Sequence, residues 1–264
     1  VIRPSQSHEV SADRQPGHWL LASLGKKVLR PGGLELTRDM IRQLRLTPGD
    51  DVVEFAPGLG VTARLLLNAH PRSYVGVDRD GDVIRRLNKE LQGPGVRFVT
   101  ASAEQTGLPA ESASVVLGEA MLSMQSPEQK KRIVAEAYRL LRTGGRYAIH
   151  ELCLIPDTID EKVRREIERE MSLSIHVGVR PSTLTEWQQL LEGLGFALVW
   201  QKLAPMRLLE PQRVVSDEGL GGALRIAANI VRKPDARRRV FAMRGLFRRY
   251  RSHLSAIAFL AVKP

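Results

Sequence analysis

The sequence predicts a doubly wound α/β fold: a seven-stranded, mostly parallel sheet with an antiparallel last strand, plus a helical insertion between the last two strands. Three observations lead there. From about Asp51 onward, short β-branched runs alternate with amphipathic segments, the pattern of a parallel sheet flanked by helices. A glycine-rich turn follows the first of these runs. The last two runs would pair as a hairpin, yet a long basic stretch separates them, and a connection of that length normally carries structure of its own.

Five strands are expected in DVVEFA, SYVGVD, VRFVTA, SVVLGEA and RYAIHELCL. Between them VTARLLLNAH, GDVIRRLNKELQ and PEQKKRIVAEAYRLLR have helical spacing. The last of these helices starts on Ser126 as N-cap, with Pro127 in the first turn and Gln129 in the capping-box position. Thr183 and Glu186 make a second capping box for LTEWQQLLEGL, and Gly195 is a plausible stop. Trp187 falls on the apolar face of that helix with Leu190 and Leu191 and is expected in the core. FALVWQKL and HLSAIAFLAV complete the seven strands.

At 264 residues, 43% hydrophobic and 26% charged, the chain suits one globular domain. Residues 19–264 are expected to form it, with a ligand-binding core at 46–154, substrate-side loops and helices at 155–195, and the basic insertion at 211–252. The polar stretch 1–18 lacks the apolar segment of a secretory signal and is expected to be mobile. Because the chain opens on Val1 rather than Met, it reads as a trimmed form. No apolar run approaches the roughly 20 residues that span a bilayer. Cys153 stands alone, which excludes an internal disulfide and a Cys-cluster metal site; no metal is expected, and a reducing cytoplasm suits the chain. A formal charge of +11 favours anionic partners, such as nucleic acid, a membrane surface or an acidic small molecule, with plain solubility as the alternative.

The segment Asp51–Ala63 is the most informative. A strand carrying Glu54 runs through Ala56-Pro57-Gly58-Leu59-Gly60 into a helix, and glycines there allow a sharp turn and a close ligand approach. Gly58-x-Gly60-x-x-Ala63 alone also satisfies the dinucleotide fingerprint. Four further features argue otherwise. Glu54, just before the glycines, would repel a pyrophosphate but suit an ammonium. Asp78 ends the second strand, where a carboxylate accepts from ribose hydroxyls. Ala101-Ser102-Ala103-Glu104 follows the third strand, with Leu108-Pro109 shortly after, and Arg142-Thr143-Gly144-Gly145 lies between the fourth helix and the fifth strand.

This order and spacing resembles the class I S-adenosylmethionine-dependent methyltransferases, especially the small-molecule branch that includes quinone-biosynthesis enzymes. The resemblance covers Leu46 to Leu154 well and the last two strands more loosely. It implies a Rossmann-like core that binds S-adenosyl-L-methionine and releases S-adenosyl-L-homocysteine. Glu54, Ala56, Gly58 and Gly60 would take the methionine part, Asp78 the ribose, and Ser102, Ala103 and Glu104 the adenine side, with Glu119 beside the methyl donor. Two positions depart from the family pattern. Ala56 replaces the usual first glycine, a change expected to be harmless because Ala suits ordinary backbone angles, and Ser102 replaces a common Asp.

Methyl transfer from a sulfonium is an in-line displacement, so such a protein mainly aligns the reactants and excludes water. A hydroxyl acceptor also needs a base, which should lie at the carboxyl ends of the strands. Glu119 on the fourth strand, His150 and Glu151 on the fifth, and His176 in the stretch MSLSIHVGVRPST, read as a loop, are the candidates, Glu119 first. His150 has a quieter reading as a hydrogen-bonded core residue. Met121 and Met124 suit either an apolar substrate pocket or ordinary packing.

A small-molecule acceptor, apolar or anionic, is the expected substrate. An RNA or protein methyltransferase is the alternative; 5% aromatic content argues against reading of single-stranded bases, and GEAM stands where amino-group methyltransferases carry Asn/Asp-Pro-Pro-aromatic. A noncatalytic or membrane-associated protein on the same scaffold is a third reading. In the insertion, two amphipathic helices are expected. One carries a stripe of Leu220, Leu224, Ala227 and Ile230 or Val231, the other Val240, Met243 and Phe247, ringed by arginines from Arg237 to Arg249. These stripes either pack on the core beneath a solvated arginine face, or form a cap that offers arginines to an anionic substrate or lipid surface.

Overall fold

The computed structural model describes residues 15–264. Of the N-terminal stretch expected to be mobile, residues 1–14 lie outside those described. Its end is not loose chain, because α1 (Gly17–Ser23) begins there and buries Leu20 and Leu21. Next comes α2 (Gly33–Leu44), which the sequence reading overlooked although Leu36, Met40 and Leu44 recur every four residues on its buried face.

The nucleotide-fold core then alternates as expected: β1 (Asp51–Phe55), α3 (Val61–Leu67), β2 (Ser73–Asp78), α4 (Gly81–Glu90), β3 (Val96–Thr100), β4 (Ala113–Glu119), a short 3₁₀ turn at Leu122–Met124, and α5 (Pro127–Leu140). Both halves of the Ser126–Gln129 capping box are formed. β5 (Leu141–Leu154) starts earlier than expected: Arg142–Gly145, read as a connection, belongs to the strand as an irregular stretch, tied to the chain end by Gly144 N–H to Lys263 O at 2.8 Å. After it come α6 (Glu161–Ile175), β6 (Ser182–Thr183), α7 (Leu184–Glu192), β7 (Ala197–Pro205), α8 (Pro211–Arg232), α9 (Pro234–Arg249) and β8 (Leu254–Val262). Residues Met171–Ile175, taken as loop, complete the last turns of α6.

The sheet order is β3-β2-β1-β4-β5-β8-β7, with β6 attached to β5. All pairs from β3 to β5 are parallel, and β8 runs antiparallel to both β5 and β7. The chain moves outward from β1 through β2 to β3, then returns to the other side of β1 with β4. That reversal opens a crevice at the carboxyl ends of β1 and β4, where open α/β sheets hold ligands. Continuous apolar runs such as Val115-Val116-Leu117 are fully buried because helices cover both faces of the sheet.

A separate apolar core lies over the carboxyl end of β5. It joins Leu20 and Leu21 of α1, Ile167 and Met171 of α6, and Val240, Met243 and Phe247 of α9. The α9 stripe therefore packs inward, the first of the two arrangements left open by the sequence. The α8 stripe does not: Gly219, at φ 72° and ψ 169°, breaks that helix, and beyond it only Ile226 is buried. Trp187 is buried and donates from Nε1 to Leu152 O at 3.1 Å.

Candidate active site

A cleft of about 430 Å³ occupies the crevice, walled by the turn after β1 and the ends of β2, β3 and β4. Glu54, Ala56, Gly58, Asp78, Ser102, Ala103, Glu104 and Glu119 all line it. Gly60 does not. A Cβ built on Gly58 would meet nothing nearer than Ala56 O at 3.8 Å, so that side of the turn faces open space. One on Gly60 would come within 2.6 Å of Leu87 on α4. Gly58 keeps room for a ligand, whereas Gly60 lets the turn pack on the fold.

Ala56 corrects an expectation. Its φ of 51° is left-handed, not an ordinary backbone angle, so replacing a glycine here costs about 1–2 kcal/mol. Ala120, which also lines the cleft just after β4, has a φ of 53°. Strained backbone at two facing strand ends is typical of a ligand site.

Two acids on the cleft wall lie in contrasting surroundings. Glu54 is buried, and burial pushes its carboxyl up to about 8, against the hydrogen bond that Tyr74 donates to it. Asp78 is half-buried; burial raises it too, opposed by the Asp80 N–H it accepts at 3.0 Å. Glu104 is held low by the Arg132 hydrogen bond at 2.6 Å, and Ser102 Oγ accepts the Glu104 N–H at 3.2 Å. A buried carboxyl able to ionise against a cation, a half-buried acid and an open-sided glycine turn fit a ligand with an ammonium at one end and a ribose in the middle.

Glu119 is the centre of a buried polar network. Arg30 and Thr62 bond its Oε2, and Thr37 bonds Oε1. His150 Nδ1 lies 2.9 Å from Oε1, while His150 Nε2 accepts the Gly32 N–H at 3.0 Å. The two bonds specify the imidazole tautomer protonated at Nδ1. Burial alone would raise Glu119, but the Arg30 charge and the His150 and Thr37 bonds outweigh it and bring the carboxyl down to about 2.

Of the four base candidates, Glu119 and His150 are hydrogen-bonded to each other, whereas Glu151 and His176 lie apart from them. Glu119 lines the cleft with its lone pairs taken. His150 is fully buried behind it, outside the cleft wall, with both ring nitrogens engaged. His176 is exposed as the left-handed C-cap of α6, and its neighbour Val177 lines the cleft instead. Glu151 accepts the N–H groups of Met121, Leu122 and Ser123 at 2.7–3.0 Å and so shapes the turn after β4. That turn carries Met121 and Met124 into the cleft.

Sequence reasoning missed Arg30, Thr37, Thr62 and His18. Gly32-Gly33 was an available signal: a Cβ at Gly32 would sit 2.8 Å from His150 Nε2, so only glycine lets this backbone reach the histidine. His18, assigned to the mobile segment, lines both the cleft and a second cavity beside it. This second cavity, about 80 Å³, is apolar; Leu21, Leu152, Met171, Met206, Met243 and Phe247 wall it, and it shares His18, Leu29, Ala120 and Met124 with the cleft. His18 Nδ1 is buried with no hydrogen-bond partner among the described residues, and burial lowers its pKa.

Comparison with known proteins fits this geometry. A methyltransferase domain family matches residues 52–145, from β1 into β5. An uncharacterised protein of Haemophilus influenzae is 31% identical over 225 residues, 84% of this chain and 88% of its own length. A phthiotriol/phenolphthiotriol dimycocerosates methyltransferase of Mycobacterium leprae is 34% identical over 105 residues, 39% of this chain and 38% of that protein. Among solved structures, a phosphoethanolamine N-methyltransferase of Haemonchus contortus, in complex with S-adenosyl-L-methionine, shares the fold with a TM-score of 0.70 at 16% identity, over 94% of this chain and 57% of that one. The matched domain falls on the strands and turns that build the cleft, and this chain belongs to the class I S-adenosylmethionine-dependent methyltransferase family.

Proposed function

We propose that the protein methylates the hydroxyl of an apolar small molecule, and that His18 takes up the hydroxyl proton. The observation that carries this reading is the apolar cavity joined to the cofactor cleft, with the unpartnered His18 Nδ1 at their junction. Bound S-adenosylmethionine supplies a methyl group on a sulfonium. Glu54 would hold its ammonium, the Ala56–Gly58 turn its methionine backbone, Asp78 its ribose, and Ser102, Ala103 and Glu104 its adenine.

Glu119 acts here as a positioning residue. A carboxyl at about 2 is a weak base, and of its partners Arg30 and Thr62 line the cleft beside it, with Thr37 on α2 behind them. His18 is better suited to the proton: burial keeps its imidazole neutral near pH 7, and its Nδ1 is unused. The apolar cavity is smaller than a benzene-sized site of about 150 Å³, so a ring-sized acceptor would require α1, α6 and α9 to part slightly. The buried lone thiol of Cys153 suits a reducing cytoplasm. Among the described residues no helix is long and apolar enough to cross a membrane.

Two experiments test this reading. Labelled methyl from S-adenosylmethionine should enter phenol and quinol pools in preference to thiols, amines or RNA. His18→Gln should lower kcat by roughly a hundredfold or more, the usual worth of a general base, with affinity for S-adenosylhomocysteine retained. Label found only in RNA, or full activity in the variant, would overturn it.

The Glu54 assignment has its own test. A carboxyl that sits at about 8 when free must ionise to hold an ammonium, so binding at pH 7 should release about one proton. Calorimetry in two buffers of different ionisation heat reads that number. Glu54→Gln should abolish the release and weaken binding by roughly 1.5–3 kcal/mol.

A further inference from the structure

Beyond Gly219, α8 turns large apolar side chains to solvent. Leu220 is 72% exposed, Leu224 71% and Val231 67%, and their spacing of four and seven residues puts them on one face. Phe241 on the adjoining α9 is 56% exposed. Single exposed apolar residues are ordinary, but a ridge of them marks an interaction surface.

The cations around this ridge fall into two groups. Arg239 donates to Gln15 O, Arg244 and Arg248 reach Glu210, and Arg249 reaches Glu170. These arginines hold α9 to its surroundings. Arg225, Arg232, Lys233 and Arg237, by contrast, have no partner among the described residues and are exposed. The only acid between Leu220 and Arg249 is Asp235, already paired with Arg238. On its other side the helix pair is anchored: Asp217 accepts the Leu34 N–H at 2.9 Å, and Glu218 accepts those of Lys27 and Val28 at 2.8 Å.

We propose that the α8–α9 pair docks the protein on an anionic lipid surface, with Leu220, Leu224, Val231 and Phe241 entering the headgroup boundary and Arg225, Arg232, Lys233 and Arg237 meeting the lipid phosphates. An apolar ridge with flanking cations is the chemistry of an interfacial helix. A second copy of the chain fits poorly, because joining two such faces would bring the unpaired cations together with almost no acid to meet them. Single-stranded nucleic acid fits poorly too, since it would leave the leucines without an apolar partner. Met243 and Phe247 on the inner side of α9 wall the apolar cavity, so docking would place that cavity's roof at the bilayer, the source of an apolar acceptor. This last step rests on the acceptor reading above; the docking does not.

Co-sedimentation of the full chain with phosphatidylcholine vesicles, with and without phosphatidylserine, tests the docking without methyl transfer, so either proposal can fail alone. The protein should bind the phosphatidylserine vesicles and release them as salt shortens the screening length below about 10 Å. Replacing Arg225, Arg232, Lys233 and Arg237 together with Gln should weaken that binding on the order of a few hundredfold, at roughly fivefold per charge. Leu220→Ser, Leu224→Ser and Val231→Ser combined should weaken it at every salt concentration. Both variants should keep wild-type affinity for S-adenosylhomocysteine, because none of these residues lines the cleft. The proposal fails if the wild type ignores phosphatidylserine at low salt, if the serine variant binds like the wild type, or if single-stranded RNA binds as tightly through the same residues. It also fails if the serine substitutions dissolve a dimer seen by sedimentation velocity.

Discussion

Gly58→Val should reduce binding of S-adenosylmethionine and S-adenosylhomocysteine below detection while the protein stays folded. The new side chain meets no atom closer than Ala56 O at 3.8 Å and projects into the cleft, so it takes the ligand's space rather than a neighbour's. Its cost to stability is that of a β-branched residue at a φ of 50°, roughly 1–3 kcal/mol. Gly60→Val is the contrasting case. It carries similar strain at a φ of 73° and also drives a Cβ to 2.6 Å from Leu87, which is fully buried and has nowhere to move. Overpacking adds roughly 1–3 kcal/mol, so this variant should melt markedly lower than the Gly58 variant. Calorimetric titration with S-adenosylhomocysteine and thermal unfolding of both proteins separate the two roles. Retained cofactor affinity in Gly58→Val would remove that turn from the ligand's wall.

Arg30→Met should destabilise the protein by about 3–5 kcal/mol, because it leaves the Glu119 carboxylate buried without its counter-charge. The effect depends on pH, and its sign follows from Glu119. The folded-state value of about 2 lies below the ordinary 4.5, so the stability contributed is present above about pH 4.5 and is lost as pH falls towards 2. A shift of that size corresponds to on the order of 3 kcal/mol. Without Arg30 the carboxyl rises, and acid unfolding should begin at a higher pH than in the wild type. Urea unfolding at pH 7 and across the acid range measures both effects. An Arg30→Met protein as stable as the wild type, with an unchanged acid limb, would show that the pair carries no net stability. Replacing Glu119 by Gln in the same background should restore part of the loss by removing the unpaired charge.

Much of this protein was legible in one dimension because the signals were local. The alternation of β-branched runs with helical spacing, both capping boxes and the Ala56–Gly60 turn each depend on residues a few positions apart, and each forms as read. The cleft residues from Glu54 to Glu104 sit on consecutive strand ends of one βαβ series, so their order in sequence is also their order around the crevice. Ala56 marks the limit of that reading: its identity is local, but its left-handed backbone is set by the turn it must complete.

The tertiary structure decided the rest, because it depends on segments far apart in the chain. Glu119 looked like a base while its neighbours were known only along the fourth strand; Arg30, Thr37 and Thr62 arrive from other elements and turn it into a fixed, ionised anchor. His18 sat in a polar N-terminal stretch with no periodicity to mark it, and only the packing of α1 against α6 and α9 brings it to the junction of two cavities. The two insertion helices had similar amphipathic patterns, yet one buries its apolar stripe and the other exposes it. Periodicity gives a helix an apolar face, but which face finds a partner depends on what the rest of the chain has already covered.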